Sequence, residues 1–161
     1  MSTFTHLDAS GNPSMVDVGE KTVTRRSATA RALVHLPESV LQLFETGEIR
    51  SKKGPVFQTA ILAGVMAAKR TGELIPLCHP LGLDHCQVTV ALNDRQEVVV
   101  ECTATITART GVEMEALTGA SIAALTIYDM CKALSHDIVI REIKLVEKTG
   151  GKRDFKREIG K

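Results

Sequence analysis

The chain has 161 residues, 43% apolar and 24% charged, which fits one globular domain burying roughly two-thirds of its unfolded surface and excludes a disordered or fibrous protein. A net charge of +1 gives no whole-chain attraction to nucleic acid or to an anionic membrane. No run approaches the ~18 apolar residues of a bilayer span, residues 1–13 show no secretory pattern, and the 4 cysteines form no C-x-x-C pair, so a reduced, cytoplasmic protein is expected.

Residues 1–20 are polar, hold Gly11, Asn12 and Pro13 and lack periodicity, which predicts a mobile arm; a single catalytic domain over 21–152 and a tail over 153–161 complete the expected organisation. From Thr22 to Leu36, Ala28, Ala30, Ala32, Val34 and Leu36 fall on one side and Thr29, Arg31 and His35 on the other, as in a strand. Pro37 opens a short helix through Val40, Leu41 and Phe44, ended by Gly47. Residues 51–55 read as a breaker-rich loop, after which Phe57, Ile61, Val65 and Ala68 predict a second helix to about Arg70. Its Ala60, Gly64 and Ala67 form a face of small residues that lets another backbone approach closely.

Beyond the Ile75–Leu81 segment, Cys86, Val88, Val90 and Leu92 alternate with polar or small residues, and after the Asn93-Asp94 turn so do Val98, Val100, Cys102, Ala104, Ile106 and Ala108, which predicts a hairpin. Met114, Leu117, Ala124, Leu125, Tyr128 and Cys131 predict a long helix from Glu113 to Leu134, and Ile138 to Val146 a last strand before Gly150-Gly151. The order β-α-α-β-β-α-β is the split βαββαβ pattern of a ferredoxin-like α+β domain with one extra helix, its antiparallel sheet covered by helices on one face.

Several groups carry chemistry. Asp129 and Lys132 share a helix face, as an acid/base pair or as a surface ion pair. Glu113 and Glu115 open the same helix, where they favour its dipole and also stand ready to accept from the N–H groups of a base. His79 follows Cys78 in a loop stiffened by Pro76 and Pro80. Cys78-His79 and His85-Cys86 suggest a metal site, but Cys86 keeps phase with Val88 and Val90 while His85 points the other way, and closed zinc sites space their ligands differently; no metal is expected. Lys52, Lys53, Lys69, Arg70, Lys148 and Lys152 lie in or beside breaker-rich segments that suit a polyphosphate, or are solvated surface charge.

Taken in order, MVDV at 15–18, KGPVF at 53–57, AAKRT at 67–71, IPLCHPL at 75–81, TGVEMEALT at 110–118, ALTIYDMCKA at 124–133 and KTGGK at 148–152 resemble the cyclic pyranopterin monophosphate synthase family over nearly the whole chain. The resemblance implies a lyase of molybdenum cofactor biosynthesis that converts 3′,8-cyclo-7,8-dihydro-GTP into cyclic pyranopterin monophosphate with release of pyrophosphate. It implies Asp129 as the principal acid/base residue with Lys132 as its partner, and Leu77, Cys78, His79, Met114 and Glu115 holding the substrate with Glu113, Lys53 and Lys148 also in the pocket. It implies a homohexamer built as a trimer of dimers, with sites shared between chains, no cofactor, no nucleic acid and no membrane. The alternative is a ferredoxin-like nucleotide- or RNA-binding module without catalysis. None of the aromatics Phe4, Phe44, Phe57, Tyr128 and Phe155 lies on the Val98 to Arg109 strand where bases would stack.

Overall fold

In the computed structural model, which describes residues 4–159, the first predicted strand becomes the centre of the molecule. β1 (Thr24–His35) lies between β6 (Val98–Ala108) and β7 (Val139–Thr149), with β5 (His85–Leu92) outside β6 and β8 (Phe155–Lys156) outside β7. The sheet order is β5-β6-β1-β7-β8 and every pairing is antiparallel. Two-residue alternation sends Ala28, Ala30, Ala32 and Val34 to one face, where the register sets Ala30 beside Cys102 and Ala32 beside Val100, all fully buried. On the other face Thr29 bonds Thr103 at 2.8 Å and Arg31 pairs with Glu101 at 2.5 Å.

Those alanines are small because a helix sits directly on them. α4 (Glu113–Cys131) packs over β1, β6 and β7, and α2 (Val56–Lys69) packs over β5 and against α4, so both long helices cover the same sheet face. Their closest approach is at the predicted small-residue face. A Cβ on Gly64 would stand 2.9 Å from the Gly119 carbonyl, and one on Gly119 would stand 2.5 Å from Cys102 Sγ. Cys86 keeps to the core side, its Sγ 3.9 Å from that of Cys102, while His85 is exposed.

The short elements differ from expectation. α1 (Glu38–Leu41) stops well before Phe44, and the stretch from Phe44 to Pro55, read as helix end and loop, is a second sheet of β2 (Phe44–Glu45), β3 (Glu48–Ser51) and β4 (Gly54–Pro55). Thr46 and Gly47 both take positive φ, +50° and +81°, the geometry that closes a tight two-residue hairpin between β2 and β3. This hairpin is held to the core by Ile49, which is fully buried in it, by Phe44, which lies against the Phe57 ring with 6.0 Å between centroids, and by Glu48, which accepts hydrogen bonds from the Phe57 and Gln58 amides. The Glu48 carboxylate thereby satisfies two orphan donors at the start of α2, which its own N-cap, Pro55, leaves without a side-chain partner.

A further turn of helix, α3 (Thr71–Leu74), follows α2, and α4 ends at Cys131 rather than Leu134. β7 runs three residues past Val146 because β1 continues to pair with it there. Within the expected tail, β8 pairs with β7, and within the expected arm Leu7 bridges Pro13; residues 1–3 and 160–161 of those segments lie outside the described residues. Among the described residues no helix is long and apolar enough to cross a membrane.

Candidate active site

One cluster forms where α4 begins. The segment 75–81 leaves α3 through a turn in which the Cys78 amide bonds the Ile75 carbonyl at 3.1 Å, and Gly72 lies so close to Pro80 that a Cβ there would be 2.9 Å from Pro80 Cα. The segment is thus pinned against α3 and presents Leu77, Cys78 and His79 to Glu113, Met114 and Glu115 around one pocket of about 140 Å³. All six of these predicted binding residues meet there. The His79 ring donates from Nε2 to the Val16 carbonyl at 2.8 Å, since a carbonyl only accepts, and this bond fixes the orientation of the ring in the pocket.

A second basin, about 280 Å³, adjoins the first and shares Gly111 and Glu113 with it. Lys21, Arg26, Lys148 and Lys152 line it. Neither hollow alone reaches the roughly 300–1,000 Å³ of ordinary ligand pockets; the two lie side by side across Gly111 and Glu113, with the cations on one side. Lys148 was legible from the sequence; Lys21 and Arg26 were missed. Ala28 pairs with Lys148 and Arg26 with Ile106, so Arg26 and Lys148 project from the helix-covered face just beyond the start of α4. The available signal was phase: Arg26 falls in step with the core-facing Ala28 and Ala30.

The two carboxylates of this cluster are tuned apart. Burial pushes Glu113 up, but a 2.9 Å bond from Lys148, a backbone amide and the nearby Arg26 outweigh it and hold the carboxyl below its ordinary range. Glu115, only 3% exposed, is pushed above that range by burial and by the charge of Glu113, against a backbone hydrogen bond. Burial and Glu115 together raise the Cys78 thiol.

The other cluster lies at the far end of α4. Asp129 bonds Lys132 through Oδ1 and Lys53 through Oδ2, each at 2.8 Å. Lys132 first and Lys53 second lower the Asp129 carboxyl to about 2, and Asp129 raises the Lys132 ammonium in turn. In the single chain this pair is open to solvent, with Asp129 and Lys132 50% and 49% exposed. Lys53 therefore joins Asp129, not Lys148. Glu115 and Asp129 are fourteen residues apart, ~21 Å along the helix axis. Among the described residues no three His, Cys, Asp or Glu side chains converge to hold a metal ion.

Residues 15–151 match the family model described as the MoaC family, a span that contains both clusters. The chain belongs to the MoaC family. A relative from Xanthomonas campestris pv. campestris (strain 8004), named cyclic pyranopterin monophosphate synthase, is 55% identical over 94% of this chain and 92% of its own. The same region recurs within longer proteins. A Synechocystis molybdenum cofactor biosynthesis bifunctional protein is 48% identical over 94% of this chain and 45% of its own, and molybdenum cofactor biosynthesis protein 1 of Dictyostelium discoideum is 46% identical over 92% and 26%.

Proposed function

We infer that this chain is a cyclic pyranopterin monophosphate synthase, a lyase that converts 3′,8-cyclo-7,8-dihydro-GTP into cyclic pyranopterin monophosphate and pyrophosphate. The observation that carries the reading is the pairing, within a MoaC-family chain, of a base-sized acidic pocket with a basin of four cations. Lys21, Arg26, Lys148 and Lys152 suit a triphosphate, and they meet the charge that grows on the departing pyrophosphate as the P–O bond breaks. Glu113 and Glu115 face the amino and ring N–H groups of the base, and the raised pKa makes Glu115 the better proton acceptor of the two. Lys132, kept protonated by Asp129, delivers a proton, while Asp129 orients it and balances its charge.

The reading requires two chains. One compact nucleotide does not span the separation along α4, so the Asp129 end of one helix meets the Glu115 end of another across a two-fold interface, three such dimers making a hexamer. Support comes from the surface beside Asp129, a groove lined by Ile122, Leu125, Thr126 and Tyr128 in which Leu125 is 53% exposed. Leu62 and Met66 of α2 are exposed as well. The same reading takes the sheet as a ferredoxin-like split, supported by the order β5-β6-β1-β7 with both long helices on one face, and places the protein in the cytoplasm, supported by its free cysteines. Incubating the purified protein with the cyclised dihydro-GTP should yield the pterin and pyrophosphate together. A folded, assembled protein that forms neither would overturn the assignment.

A further inference from the structure

We propose that the N-terminal arm is a strap across the substrate site, with Thr5 contacting the phosphate end and His6 the base end of the bound nucleotide. The identity of the ligand rests on the synthase reading; the strap itself rests on the placement of these two residues. Thr5 lines the cationic basin and His6 lines the pocket of Cys78, His79 and Glu115. The chain therefore crosses above the ridge that both hollows share, Gly111 and Glu113, and sends one side chain to each side.

The arm is held there by polar contacts rather than by the core. No residue from 4 to 20 is buried, Phe4 is 87% exposed and Leu7 48%. The Asp8 carboxylate accepts hydrogen bonds from the Ser10 and Asn12 amides, both 2.9 Å, and folds residues 8–12 into a closed turn. Leu7 bridges Pro13, and the Ser14 amide bonds the His6 carbonyl at 2.9 Å, so the turn fixes the backbone of His6 directly. Two residues further on, the Val16 carbonyl takes the hydrogen bond of His79. The strap is consequently fastened at its inner end to a side chain of the pocket. Lifting it releases the His79 ring, and setting it down fixes the ring's orientation. A segment with exposed hydrogen bonds and few apolar contacts opens at low free-energy cost, as entry of a large anionic ligand requires. The imidazole of His6 and the hydroxyl of Thr5 supply a donor and an acceptor each, to a base edge and to a phosphate oxygen.

Steady-state kinetics of the full-length protein on the cyclised dihydro-GTP test the assignment through His6→Ala, Thr5→Val and Asp8→Ala. His6→Ala should raise KM roughly tenfold, the loss expected for one hydrogen bond to a bound ligand, with kcat changed much less. Thr5→Val should act in the same direction, His6→Asn should recover part of the loss, and Asp8→Ala, which touches no pocket, should weaken binding by loosening the turn. Amide exchange supplies a readout independent of turnover: GTP added to the wild-type protein should slow exchange at Asn12 and Ser14. Unchanged KM in both His6→Ala and Thr5→Val, or exchange in the arm that GTP leaves unaltered, overturns the strap. Wild-type protein without turnover would count against the synthase reading instead, and the exchange measurement would then decide the strap alone.

Discussion

Glu113 and Glu115 stand two positions apart and titrate in opposite directions, because one meets Lys148 and the other meets mainly burial. For Glu115 the folded pKa lies above the ordinary 4.5, so between that value and its folded pKa the native state binds more protons than the unfolded one, and stability falls as pH rises. Glu115→Gln removes this term; the variant's Tm should decline less than the wild type's as pH rises from 4.5, and an identical slope would refute the burial argument. Asp129 shows the reverse sign. Its pKa is depressed from 3.8 to about 2, so its contribution is fully present above the ordinary value and is lost as pH falls from there through the folded value. Lys132→Ala should leave folded protein whose turnover drops by about 10²–10⁴, the range for loss of a proton-transfer group, and Asp129→Asn, which loosens that lysine and removes its counter-charge, should lower turnover in the same direction; near-normal rates would remove either residue from the chemistry. Gly111 matters for a steric reason, since a Cβ there would overlap the Glu113 carboxylate. Gly111→Ala should swing that carboxylate off Lys148 and weaken nucleotide binding, measurable by calorimetric titration with GTP.

The elements legible in the sequence were those long enough to show a period. β1, β5, β6, α2 and α4 emerge within a few residues of their observed bounds because one face of each is committed to the core. β2, β3 and β4 carry two to four residues each, too few for any period, and what fixes them is the hairpin at Thr46-Gly47 and the reach of Glu48 to α2. The end of β7 was hidden for another reason. Register shifts opposite Thr29/Ala30 and Leu33/Val34 break its alternation, so only pairing with β1 shows that it continues to Thr149 and carries Lys148 into the basin. The Gly64–Gly119 crossing was legible as a small-residue stripe, and it yields a stability prediction. Gly119→Ala brings a methyl group against Cys102 Sγ and the Gly64 carbonyl, and should destabilise by about 1–3 kcal/mol, read from denaturant unfolding with an unchanged m-value.

Across the whole molecule, the division of the acidic groups between the two ends of α4 was legible in the sequence, because Glu115 and Asp129 stand fourteen residues apart on one predicted helix, whereas the union of Lys53 with Asp129 and of Lys21 and Arg26 with Lys148 appears only once the sheet and loops are placed. That division makes the proposed two-chain site testable. His79→Ala and Asp129→Asn each disable one half; co-expressed, half of randomly paired dimers are mixed and hold one intact site out of two, so roughly a quarter of wild-type activity should return. Demonstrably mixed oligomers as inactive as their parents would confine the site to one chain.

The ion pair between Glu113 and Lys148 means that the cationic basin carries its own counter-ion. A ligand with a single negative charge arriving at Lys148 merely exchanges one anion for another and gains little. A ligand with three or four charges engages Lys21, Arg26 and Lys152 at the same time, and the carboxylate it displaces is a small part of what it gains. Under the proposed function the basin would sort ligands by valence: GTP should bind far more tightly than GMP, and Glu113→Gln, which removes the internal competitor, should favour GMP disproportionately and narrow the gap between them.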